Sequence, residues 1–156
     1  MSAFVETACE DDELPEKVAG AVLTYQQIPL KRFSKLPEDT RRAYVRRTLR
    51  DKRAEDLALY VLSAALTRRQ AELISAFLDA VKLPHEGASL TTEGEIPQPS
   101  AAVLAKGVDA VLAKWPARDV SLYLHAFAAQ PDVHWPLLDG MLVADGRLSL
   151  EDRSAQ

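Results

Sequence analysis

Leu57-Ala58-Leu59-Tyr60-Val61-Leu62-Ser63-Ala64-Ala65-Leu66 is apolar almost all the way round a helical wheel. Its length and alanine content favour a helix over a strand. A helix with no polar face must be surrounded by other helices, so this run predicts a bundle. Its flank extends the pattern. Ala54-Glu55-Asp56-Leu57-Ala58-Leu59-Tyr60-Val61 aligns with Ala117-Arg118-Asp119-Val120-Ser121-Leu122-Tyr123-Leu124. At a slightly different offset, Phe77-Leu78-Asp79-Ala80-Val81 aligns with Leu137-Leu138-Asp139-Gly140-Met141, and Ser89-Leu90 with Ser149-Leu150. A short deletion between the two pairs of matches reconciles the offsets.

Self-similarity of this kind is the mark of a repeated helical unit. The expected fold is all-α: a compact bundle of about seven helices, made of two related three-helix units plus an N-terminal helix. Two units fall below the three usual for a free-standing solenoid, so a bundle with solenoid-like handedness is expected rather than an extended superhelix. The whole chain, residues 1–156, is read as one helical domain. Within it, 1–13 is an acidic arm, 14–30 the N-terminal helix, 31–85 the first unit, 86–98 a linker and 99–150 the second unit.

Helix boundaries follow from local chemistry. Leu14-Pro15-Glu16 starts the N-terminal helix, where Val18, Ala21, Val22 and Tyr25 form one apolar stripe, and Ile28-Pro29 closes it. Pro37-Glu38-Asp39 starts the next, which reaches about Asp51. Thr67-Arg68-Arg69-Gln70 has the form of a capping box and predicts a helix start there. Leu73, Ile74, Phe77, Leu78 and Val81 then form a core stripe. Residues 86–100 combine proline, glycine and hydroxyl side chains and read as a loop. Further helices are expected at about Pro99–Lys114, Ala117–Ala129 and Trp135–Val143, and the tail after Leu150 is polar.

With 156 residues, 47% of them hydrophobic and 27% charged, the chain has an ordinary globular balance. Cys9 is its only cysteine, so neither an intrachain disulfide nor a cysteine-rich zinc site is open to it. Cys9 sits among Glu6, Glu10, Asp11 and Asp12, a negative field that opposes thiolate formation. The N-terminus lacks the basic flank and apolar core of a secretory signal, and no apolar run reaches membrane-spanning length. A cytoplasmic location with no membrane partner is expected.

Charge is distributed unevenly. Residues 1–30 carry six acids and one lysine, residues 31–53 ten basic side chains and three acids, and residues 54–156 eight basic side chains and fourteen acids. On the helix starting near Pro37, Tyr44, Val45, Thr48 and Leu49 share one side. Arg42, Arg46, Arg47, Arg50 and Arg53 fill a broad arc on the other. That arc can dock an acidic protein partner or track a nucleic-acid backbone by releasing counterions. The overall charge of −4 weighs against nucleic acid. The opposite charge of residues 6–16 could draw them onto the arc, so the sequence leaves open whether the arc is exposed or masked.

Catalytic signatures are missing from the sequence. It has no glycine-rich phosphate loop, no Gly-x-Ser-x-Gly elbow and no His-Glu-x-x-His helix, so no cofactor is expected. His125 and His134 could approach each other across a turn with Asp132 or Asp139. An unfamiliar enzyme site near His125, His134 and Asp139 is the weakest of three readings. The leading one is a non-enzymatic protein–protein interaction module, an adaptor or regulatory subunit, using the arginine face. Nucleic-acid binding through Lys31–Arg53 comes between them.

Overall fold

A computed structural model describes residues 27–51 and 55–150. The expectations for the acidic arm, Cys9, the helix at 14–28, Arg53 and the C-terminal tail lie outside these residues. The protein is all-α. The described elements, in chain order, are α1 (Leu30–Phe33), α2 (Glu38–Leu49), α3 (Glu55–Arg69), α4 (Ala71–Ala80), β1 (His85–Glu86), β2 (Ser89–Leu90), α5 (Ala101–Leu112), α6 (Ala117–Ala128) and α7 (Pro136–Ala144). A 3-10 turn at Gly146–Leu148 follows α7. The chain divides into two compact units, 1–65 and 66–156. The division falls inside α3.

In the first unit, α2 begins after Pro37 with Glu38 and Asp39, and carries Arg46 and Arg47 in its last turn. Acids at the start and bases at the end both suit the helix dipole. Its buried side is Val45, Thr48 and Leu49. Thr48 can be buried because its hydroxyl donates to the Tyr44 carbonyl one turn back, at 2.9 Å. Phe33, Val61, Leu62 and Ala65 are also buried in this unit.

In the second unit, α6 has almost no exposed side. Val120, Ser121, Leu122, Tyr123, Leu124, Ala126 and Phe127 are all buried. Helix α6 packs against α5, α7 and the 3-10 turn, and α4 packs along α5. The rings of Phe77, Tyr123, Phe127 and Trp135 form a chain of contacts with centroids 5.0 to 5.9 Å apart, most of them edge-on. Edge-on contacts place the positive ring rim against the negative ring face.

The helix break after α3 differs from the expected capping box. Helix α3 continues through Thr67 to Arg69, and the chain leaves helical geometry at Gln70. Gln70 makes no side-chain cap. Its amide instead donates to Asp119 of α6 at 3.1 Å, a long-range bond that local spacing does not reveal.

The end of α4 is a Schellman turn. The Leu83 amide donates to the Leu78 carbonyl and the Lys82 amide to the Asp79 carbonyl, while Lys82 sits at φ +61°. Leu83, Leu78 and Phe77 bury the apolar contact that accompanies this motif. The turn feeds directly into a hairpin, with His85 opposite Leu90 and Glu86 opposite Ser89. Thus the 86–98 stretch, expected to be a plain loop, contains antiparallel pairing. It is pinned further on. The Ile96 amide donates to the Asp132 carbonyl at 2.8 Å, Trp135 Nε1 donates to the Ile96 carbonyl at 2.9 Å, and the Leu137 amide donates to Gln98 Oε1 at 3.0 Å.

Where α4 and α5 approach each other, Gly107 is buried. A Cβ placed on it would lie 2.8 Å from Val81 Cγ1. Valine is stiff at χ1 and cannot swing aside.

Two substitutions therefore act against their usual expectation. Gly107→Ala should lower the midpoint of chemical unfolding, because overpacking at about 1–3 kcal/mol outweighs the ~1 kcal/mol gain in helix propensity. Lys82→Gly should raise it by about 1 kcal/mol, since glycine takes a positive φ without steric cost. A denaturant titration of each purified variant reads both effects.

Candidate functional site

Helix α2 presents the arginine arc. Arg46, Arg47 and Arg50 are exposed, on the side opposite Val45, Thr48 and Leu49. Arg42 is half-buried and already engaged. Its Nη2 and Nε both donate to Glu38 Oε1, at 2.7 and 3.1 Å, one helical turn apart. Lys31, Arg32 and Lys35 are exposed just before α2, and Asp39 is exposed on it.

Arg41 was not part of the expected arc, and the structure sets it apart. Its position places it on the buried side, and its Nε is buried without a hydrogen-bond partner. The wheel spacing that groups the other arginines is the signal that separates it.

The three residues of the expected histidine site lie in the second unit. His125 on α6 is half-buried, and its Nε2–H donates to the Leu148 carbonyl at 3.0 Å. The Ser121 hydroxyl donates to the same carbonyl at 2.6 Å. This pair of donors ties the 3-10 turn to α6. His134 and Asp139 are exposed. Among the described residues, no three His, Cys, Asp or Glu side chains gather in a metal-holding cluster. No described helix is long and apolar enough to cross a membrane.

The aligned stretches 55–61 and 117–124 are both helical, on α3 and α6, but their tyrosines differ. Tyr60 is 71% exposed and Tyr123 only 5%. The Tyr123 hydroxyl is buried without a hydrogen-bond partner. Burial pushes its pKa far above the ordinary tyrosine value, so the phenol holds its proton at every physiological pH.

A histidine–aspartate pair stands outside every expected site. His85 Nε2 lies 3.1 Å from Asp79 Oδ1, and His85 Nδ1 lies 2.7 Å from the Gly87 carbonyl. Hydrogen bonds to Asp79 and to Gly87 raise the His85 pKa. Asp79 also borders a shallow, open groove of about 350 Å³ between α4 and α5, with Lys114 and Trp115 on its far wall.

No protein-family model matches this chain, and neither a curated protein nor a solved structure matches it. The site must be read from its own chemistry.

Tyr123→Phe should leave the protein as stable or make it more stable, by about 1 kcal/mol, because it deletes a buried hydroxyl that has no partner and keeps the ring contacts. A clear loss of stability in thermal or denaturant unfolding would mean that the hydroxyl contributes to folding.

Proposed function

We propose that the protein is a non-enzymatic helical interaction module, an adaptor or regulatory subunit, that docks an acidic protein partner on the arginine face of α2. The observation behind this reading is the exposure of Arg46, Arg47 and Arg50 on one side of α2, with Val45, Thr48 and Leu49 buried on the other. The packing side of this helix is buried, and on its charged side Arg46, Arg47 and Arg50 keep exposed surface. A planar guanidinium suits a carboxylate, which it can meet with two parallel hydrogen bonds.

Two features favour an acidic protein over nucleic acid. Helix α2 has twelve residues, and its arc is interrupted by acids: Glu38 engages Arg42, and Asp39 is exposed. The chain as a whole carries a net charge of −4, which opposes a long phosphate backbone. A short basic patch in an acidic protein fits a partner whose negative charge is equally short. The placement of this function in the cytoplasm belongs to the same proposal.

Binding of poly-L-glutamate and of duplex DNA, measured side by side, tests the reading. Wild type should bind the polyglutamate in preference to the DNA, and Arg46→Glu/Arg47→Glu/Arg50→Glu should weaken that binding roughly tenfold or more. Equal binding by the charge-reversed protein would remove the arginine face from the function. Tighter binding of DNA, falling steeply between roughly 50 and 200 mM salt, would establish the nucleic-acid reading instead.

A further inference from the structure

We infer that His85 is a proton-operated latch, which fastens the 85–90 hairpin to the last turn of α4 only when its ring is doubly protonated. The argument rests on donors and acceptors. A backbone carbonyl oxygen can only accept a hydrogen bond, and so can a carboxylate. His85 Nδ1 faces the Gly87 carbonyl at 2.7 Å, and His85 Nε2 faces the Asp79 carboxylate at 3.1 Å. Both ring nitrogens must therefore carry hydrogen for both contacts to be favourable. A neutral imidazole has one N–H, so one contact would become lone pair against lone pair.

The surroundings make that loss consequential. The His85 side chain is only 13% exposed, although its two hydrogen bonds lie at the surface, so water replaces a released contact only in part. Asp79, by contrast, is 76% exposed and sits one residue from the C-terminal end of α4. Against β1 pack α4 and β2. Helix α4 carries Glu72 and Asp79, and β2 carries no titratable side chain; Lys82 and Glu86 are the charged neighbours in the chain. Asp79 is the one whose charge acts on the ring.

The sign of the pH dependence follows. A histidine whose pKa is raised by folding contributes stability that is fully present below its ordinary value and disappears as pH rises through the raised one. The latch is closed in acid and opens on the alkaline side. Opening should be local. The hairpin is fastened by His85, but the chain beyond it is fixed independently, through Ile96 to Asp132 and Trp135. Residues 85–91 would loosen while 96–98 stay in place.

The full chain tests this by NMR. Side-chain ¹⁵N shifts report the protonation of each His85 nitrogen, and exchange of the Thr91 amide, which donates to the Pro84 carbonyl at 3.1 Å, reports closure of the hairpin. On the acid side both His85 nitrogens should be protonated. Thr91 protection, corrected for intrinsic exchange, should fall about threefold as the ring titrates, the size set by a partly exposed ion pair. Asp79→Asn should move the His85 titration to lower pH and flatten the Thr91 profile. His134→Gln, at an exposed histidine away from the pair, should change neither. A singly protonated ring on the acid side, a flat Thr91 profile in wild type, or an unchanged profile in Asp79→Asn would each overturn the latch.

Discussion

Helix α6 must be enclosed, because its five consecutive residues Val120–Leu124 and the following Ala126 and Phe127 are all buried. Each large apolar side chain placed there is worth roughly 1.5–3 kcal/mol when fully removed from water. No single neighbour can cover an entire helical circumference. Helices α5 and α7 and the 3-10 turn all pack on α6, while Phe77 of α4 reaches it through Tyr123 and Phe127. Enclosure also has a polar cost. The Leu148 side chain is fully buried, and Ser121 and His125 both donate to its backbone carbonyl from α6. Ser121 and His125 are thus the donors that let a non-helical turn close against α6.

The same enclosure explains which parts of the fold were legible in the sequence. Helices show themselves by periodic burial, and α2, α5, α6 and α7 fall within a few residues of where periodicity and proline place them. The hairpin has strands of two residues each, shorter than any period can register. The order in residues 91–98 is imposed from 39 positions away, where Trp135 and Leu137 meet Ile96 and Gln98. Gln70 fails as a cap for the same kind of reason, since its amide is drawn to Asp119. In each case a long-range bond decided what local chemistry left open.

The two charged features differ in the same way. The arginine arc follows from one helix and a 100° rotation per residue, and the residue that departs from it, Arg41, also departs by rotation. The His85–Asp79 pair needs a reversal of the chain between its members. Lys82 supplies it by taking a positive φ, which turns the chain at the end of α4 and returns His85 to the helix it has just left. A lysine is not a residue from which such a turn is read. Glycine there would have announced the reversal, and with it the contact six residues apart.

Helix stability alone explains only part of the basic charge around α2. The dipole favours acids in the first turn and bases in the last, which accounts for Glu38, Asp39, Arg46 and Arg47 at typically 0.3–1 kcal/mol each. The Glu38–Arg42 pair adds the few tenths expected of an exposed i,i+4 contact. Lys31 and Arg32 lie in the last turn of α1 and Arg50 is the C-cap of α2, where a helix dipole again favours positive charge, which leaves Lys35 between the two helices. Arg42, Arg46 and Arg50 also engage other groups of the chain, so contacts within the fold offset part of the repulsion among these cations.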